Sequence, residues 1–262
     1  MSSLSRETAQ HWIDRWERQQ LRHLPDREER FTALIDAVEV MAGEAAGPLV
    51  LDLGCGPGSL SLRLIRRIPS ATVIALDLDP VLLALGEAIT GDVDSIRFIN
   101  VDLSVPHWSH RLELPRDVDV AVSTTALHWI PAPKLPGMYK ELAAILRPNG
   151  VLLNGDELIL DPDTAPNLAA LERKLVDFEE RRRFPEGHPE NWTQWWDAIF
   201  EEPELADAIA ERERRHITSD HHGTGGDRYQ AHIEALAAAG FEEIGTIWQR
   251  GENKLLCAVL NR

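Results

Sequence analysis

The run Val50-Leu-Asp-Leu-Gly-Cys-Gly-Pro-Gly58 places three glycines two residues apart, directly after an apolar segment. Glycines at this spacing let the backbone turn tightly and let a ligand approach peptide groups that a side chain would shield. Asp52 puts a carboxylate inside the same run, and Ser59 to Ile68 then carries Leu60, Leu62, Leu64 and Ile65 in a pattern that predicts a helix. An apolar strand, a glycine turn and a helix N-terminus form a cradle for a small ligand at the carboxyl end of a sheet. The next apolar run, Val73-Ile-Ala-Leu-Asp77, ends in an acid nineteen residues past Gly58, where a carboxylate suits ribose hydroxyls. The spacing is G-x-G-x-G rather than the G-x-G-x-x-G of nicotinamide sites, and no lysine follows as a phosphate-binding loop requires.

Three further segments carry groups able to do chemistry. Asp102 ends the apolar run Ile96-Arg-Phe-Ile-Asn-Val101, either as a ligand acceptor or as a turn cap. The run Asp119-Val-Ala-Val-Ser-Thr-Thr-Ala-Leu-His-Trp129 reads as a strand leading into a loop. His128 is the titratable side chain of that loop, and imidazole is a proton acceptor near neutral pH. The alternative is a histidine packed on Trp129 or bonded to backbone. Asp156 and Glu157 follow the run Val151 to Asn154, on the same ligand side.

Taken in order, Asp52 to Gly58, Asp77, Asn100-Val-Asp102-Leu, Asp119 to Trp129 and Leu146-Arg-Pro-Asn-Gly-Val-Leu152 resemble the class I S-adenosylmethionine (SAM) dependent methyltransferases, small-molecule type. The resemblance covers roughly residues 45 to 157. It implies SAM as cofactor, held by Asp52, Gly54, Cys55, Gly56, Gly58, Asp77, Leu78, Asp102, Leu103 and Ser123, with Asp102 toward the adenine. It implies transfer of a methyl group to an N or O atom of a small metabolite, in a specialised biosynthetic pathway. His128 is the candidate catalytic base, and Trp129, Asp156, Trp192 and Trp196 are candidate acceptor-binding residues. The family's nucleic-acid and glutamine N-methylating branches carry a Pro-Pro-aromatic signature where this chain has Ser123 to Trp129, which disfavours those substrates. The same cofactor pocket also serves reactions without methyl transfer, such as SAM cyclisation or isomerisation, or a purely sensory role. Cofactor motifs do not distinguish these.

Composition bounds the partners. The 262 residues carry a formal net charge of −16, which repels nucleic-acid backbones and anionic membranes. A small-molecule acceptor fits, and oligomeric state is not legible. The two cysteines, Cys55 and Cys257, suggest neither a disulfide framework nor a metal cluster. Asp220-His-His222 lacks further ligands at fixed spacing, so no metal is expected. The polar start and the absence of a long apolar stretch place the chain in the cytoplasm.

The positioning elements follow from hydrophobic period. Residues 1–47 read as two amphipathic helices, whose Trp12 and Trp16 are either a lid over the cofactor or packing aromatics. In the family reading, Arg27 or Arg30 meets the methionine carboxylate. Residues 48–157 form the SAM-binding Rossmann-like core. Residues 158–228 interrupt it as a helical cap, with steps of three and four at Leu168, Leu171, Leu175 and Phe178 and again at Trp192, Trp195, Trp196 and Ile199. The tryptophan face is either core or a surface for a flat or cationic acceptor. Residues 229–262 return as the last crossover helix and two strands whose short link, Gln249 to Lys254, requires antiparallel pairing. The predicted fold class is α/β: a Rossmann-like doubly wound sheet of about seven strands with one reversed terminal strand, plus a helical insertion.

Overall fold

The computed structural model describes residues 4–24, 26–42, 47–91, 93–184, 190–218 and 225–261. His188 and the Asp220–His222 run lie outside the described residues. Seven strands form one sheet in the order β3-β2-β1-β4-β5-β7-β6: β1 (Leu49–Leu53), β2 (Thr72–Asp77), β3 (Ile96–Asn100), β4 (Val118–Thr124), β5 (Leu146–Glu157), β6 (Glu243–Arg250) and β7 (Asn253–Val259). The first five are mutually parallel, and β7 runs antiparallel to both β5 and β6. The reversed strand is therefore last in the chain but interior in the sheet, and β6 forms the edge.

β1 is buried along its whole length, as its unbroken apolar run requires for a strand covered on both faces. Leu51 and Leu53 lie in one core layer with Tyr139 and Leu142 of α5 (Leu135–Ile145) and with Leu236 of α9 (Tyr229–Ala238). Val50 lies in the opposite layer with Phe31 and Leu34 of α2 (Arg27–Ala42) and Leu60 and Leu64 of α3 (Ser59–Arg67). A third cluster joins α1 (Arg6–His23), α4 (Pro80–Thr90) and α7 (Trp192–Ile199) through Trp12, Trp16, Leu82, Leu85, Trp195 and Trp196.

Local signals place the helix starts. Ser5 accepts the Thr8 N–H, and Asp79 accepts the Val81 N–H with Pro80 in the first turn. Asn191 and Gln194 form a reciprocal capping box at the start of α7. Arg147 to Gly150 fall within β5, where the register against β4 shifts between Val118 and Val120 and Asn149 takes φ 58°.

The helices between β5 and α9 occupy two places. α7 and α8 (Ala206–Arg214) pack on α1 and α4. α6 (Pro166–Arg183) lies instead along the β6–β7 edge, held by the buried Lys254–Glu172 ion pair at 2.9 Å. Its heptad-like apolar residues face solvent, whereas amphipathic spacing predicts an inward stripe. Leu51 is central to both sheet order and packing. Leu51→Ala should lower unfolding free energy by about 2–5 kcal/mol, checked by urea denaturation monitored by circular dichroism.

Candidate functional site

The glycine loop hangs from the end of β2. Leu76 O accepts from both Gly54 N and Cys55 N at 2.8 Å. The Asp77 carboxylate accepts Gly56 N–H at 2.7 Å through Oδ2 and Asp79 N–H at 2.8 Å through Oδ1. Gly54, Gly56 and Gly58 all take positive φ, at 71°, 55° and 82°. A Cβ on Gly54 would stand 2.2 Å from the Ala126 Cβ, so the loop after β4 closes directly on the first glycine.

These residues fit SAM. Each Asp77 oxygen uses one lone-pair direction on backbone and has another for a ribose hydroxyl. Burial, with the charge of Asp79, pushes the Asp77 carboxyl up to about 6, against the hydrogen bonds from backbone. Asp52 is fully buried; its Oδ2 accepts from Ser61 at 2.6 Å and its Oδ1 has no protein partner. Burial raises the Asp52 carboxyl to about 7. A raised carboxyl favours the fold only at pH below its ordinary range, so both acids cost stability as pH rises toward 7. Groups kept at such cost mark functional positions. Leu78 and Asp102 border the same strand ends, with Asp102 Oδ1 accepting Ser104 N–H at 2.8 Å. Leu103 is buried, and Ser123 donates to Leu53 O at 2.7 Å, tying β4 to β1 beneath the loop.

His128 stands in a single helical turn, Leu127–Trp129, two residues past Ala126. Its Nδ1 lies 2.6 Å from Asp156 Oδ1. Asp156 is wholly buried and is also held by the backbone N–H groups of His128 (3.1 Å) and Glu157 (2.9 Å). An ionised Asp156 accepts a hydrogen bond from Nδ1–H and leaves Nε2 as the basic nitrogen. Burial pulls the His128 pKa down, but the Asp156 charge and hydrogen bond outweigh it and the net shift is upward. Asp156 moves the opposite way: burial raises it and His128 brings it below the ordinary range.

A strip of ring faces joins this loop to the glycine turn. His128 and Trp129 are 5.9 Å apart by ring centroids, Trp129 and Trp192 5.8 Å, and Trp192 and Trp16 5.4 Å. Trp16 then reaches within 3.6 Å of the position a Gly56 Cβ would take. Trp129 and Trp192 are half-buried. Trp196 meets the strip edge-on at Trp192, with centroids 5.8 Å apart, and is buried beneath Arg212, whose guanidinium carbon lies 4.3 Å from the ring centroid.

The two arginines of α2 divide. Arg27 pairs with Glu17, which also accepts from Ser59 Oγ at 2.5 Å and from Arg63 at 3.0 Å. Burial alone raises the Glu17 carboxyl, yet Arg27 and Arg63 bring it down to about 2. Arg30 is fully buried across Gly155 and donates to Thr124 Oγ1 at 2.7 Å and to Asn253 Oδ1. Burial lowers its pKa to about 10, so it keeps its charge beside Asp156 and Glu157.

Sequence reading missed Glu17, Asn253 and the pair Tyr139–His232. His232 Nε2 faces Gly226 O at 2.7 Å and must donate to it; its Nδ1 then accepts from Tyr139 OH at 2.6 Å. Burial depresses the His232 pKa, consistent with the neutral ring. The signal was the inward helical spacing of His232, Leu236 and Ala239.

The family described as "Methyltransferase domain" has a model that matches residues 50–150. A malonyl-[acyl-carrier protein] O-methyltransferase of Halalkalibacterium halodurans is 27% identical over 156 residues, 58% of this chain and 55% of that protein. A trans-aconitate 2-methyltransferase of Mycobacterium tuberculosis is 39% identical over 87 residues, 31% of this chain and 27% of that protein. The chain thus spans about half or less of these relatives. The magnesium protoporphyrin IX methyltransferase of Synechocystis PCC 6803 with bound S-adenosylhomocysteine superposes with TM-score 0.54 at 17% identity, covering 94% of this chain and 93% of that one. Human N-acetylserotonin methyltransferase with SAM gives TM-score 0.52 at 16% identity, over 95% of this chain and 57% of that one. At these identities the likeness is one of fold.

Asp77→Ala should weaken SAM binding by about 1–3 kcal/mol, through the lost ribose acceptor and the released Gly56 N–H. Isothermal calorimetry measures it, and unchanged affinity in a folded variant would remove Asp77 from the ribose role. The clamped glycine turn and the acid at the end of β2 both lie within residues 50–150, the stretch that matches the methyltransferase-domain family.

Proposed function

We propose that the protein transfers a methyl group from SAM to an oxygen or nitrogen atom of a small-molecule acceptor, with His128 as the proton acceptor. The observation that carries this reading is the buried His128–Asp156 pair, two residues from the point where the β4 loop meets the glycine turn. SAM supplies the methyl group and a sulfur leaving group. The chain's residues then have three tasks: hold the acceptor in line, exclude water and take a proton. Asp156 orients the imidazole so that Nε2 is its basic nitrogen. Trp129 and Trp192 present ring faces that exclude water from the approach. The name of the first relative, an O-methyltransferase, supports oxygen as the acceptor atom.

Small acceptors bearing hydroxyl, carboxyl or amine groups, incubated with SAM, provide the test. Release of S-adenosylhomocysteine with a methylated product supports transfer. Consumption of SAM to other products, or binding without turnover, overturns it.

With an acceptor in hand, His128→Ala should reduce kcat by roughly 10²–10⁴. A base must be unprotonated, so the rate should fall as pH drops through the His128 pKa, with a midpoint above 6.5. Asp156→Asn removes the nearest charge that favours imidazolium and leaves burial opposed by Glu157 and Asp227, so the midpoint should move to lower pH. A pH–rate profile of kcat for both proteins checks the direction.

We infer the acceptor's resting place from the tryptophan strip. Trp192→Ala should raise the acceptor KM several-fold, with SAM affinity by calorimetry nearly unchanged, because Trp192 is one ring removed from the glycine turn. An unchanged KM would make the ring a packing residue only.

A further inference from the structure

We propose that α6 is the seam of a homodimer, paired antiparallel with α6 of a second copy of this chain. The helix docks by polar contacts and leaves its apolar stripe partly exposed. Its inward face carries Ala169 and the buried Glu172, which accepts from Lys254 at 2.9 Å and from Gln249 at 3.3 Å. Farther along, Glu179 pairs with Arg250 at 3.3 Å, and Arg183 and Arg250 both reach Asp26. Polar groups thus hold α6 to its own subunit.

The apolar residues lie beside this face: Leu168 and Leu175 are one helical turn from Glu172, and with Leu171 they line the open groove between α6 and the sheet edge. Leu168, Leu171, Leu175 and Phe178 are 57%, 52%, 44% and 54% exposed. Their steps of three, four and three are the a and d positions of a heptad, the narrow stripe that one helix presents to another. A groove of about 420 Å3 between α6 and the sheet edge, bordered by Leu160, Tyr229 and Thr246, continues the surface. A contiguous apolar surface of this kind on a soluble chain marks an interaction site.

Two features select a second copy as the occupant. An a/d stripe is complementary to itself, so a two-fold axis near residue 173 sets Leu171 of one copy against Leu175 of the other. That same axis brings the exposed Arg181 and Arg182 at the C-terminal end of α6 opposite the partner copy's exposed Asp163, just before its α6. Antiparallel packing also opposes the two helix dipoles. A parallel pair would stack like charges at each end.

Sedimentation velocity of the full chain across about 1–100 μM tests the proposal. The expected species has twice the 29.4 kDa chain mass. Leu171→Glu with Leu175→Glu should raise the dimer dissociation constant at least roughly 100-fold. Circular dichroism and SAM affinity should stay unchanged, since neither residue touches the cofactor cradle. Should that variant fail to fold, Arg182→Glu alone should weaken the dimer and Arg182→Glu with Asp163→Arg should restore it. A monomeric natural chain at 100 μM overturns the proposal. So does a dimer that survives the leucine substitutions, or a single charge reversal with no effect.

Discussion

The hydrogen bond from Gly56 N–H to the Asp77 carboxylate is the constraint on which the site depends. It joins the turn after β1 to the end of β2 and costs the carboxylate part of its solvation, which burial registers by raising Asp77 to about 6. With Gly54 and Cys55 both bonded to Leu76 O, the loop has little freedom to relax. The cradle is therefore built before a ligand arrives, and a ribose would meet an acceptor already oriented. Preorganisation of this kind lowers the ordering cost of binding.

The same logic governs the next strand. Asp156 ends β5 as Asp77 ends β2, and it too accepts a backbone N–H from a neighbouring loop, that of His128. The two buried acids part company in their partners. Asp77 has only backbone dipoles to set against its burial and the like charge at Asp79, and its pKa rises. Asp156 has an imidazole and the guanidinium of Arg30 nearby, and its pKa falls. His232, oriented by the Tyr139 hydroxyl on its other ring nitrogen, holds the Gly226 carbonyl. A Gly226 Cβ would stand 2.1 Å from Ile130 O and 2.6 Å from His128 O, so that segment supports the His128 loop from behind.

The helices outside the sheet are coupled to the cradle by charge as well as by packing. Arg212 of α8 donates to Asp79 at 2.7 Å while lying over Trp196, and Arg215 donates to Leu78 O at 3.2 Å. Both contacts fall on the turn just past Asp77. Glu17 of α1 does the equivalent at Ser59, the first residue of α3. The aromatic cluster of α1 and α7 is thus flanked by two charged grips, one from α8 on the turn after β2 and one from α1 on the start of α3.

Short-range features were legible in the sequence because they are consequences of local chemistry. Glycines at 54, 56 and 58 imply positive φ, and an unbroken apolar β1 implies cover on both faces. A link as short as Gln249–Lys254 implies the reversed strand. What the tertiary structure decided is whatever depends on a partner distant in sequence. Arg30 and Arg27 look alike three residues apart, yet the first is buried on Thr124 and Asn253 and the second is paired with Glu17. His128 became an oriented base candidate only when β5 carried Asp156 beneath it, 28 residues on. α6 shows the limit most plainly. Its period of three and four is real, but period reports only that one face is apolar; the ion pairs of Glu172, Glu179 and Arg183 hold α6 beside the sheet edge with its leucines along an open groove.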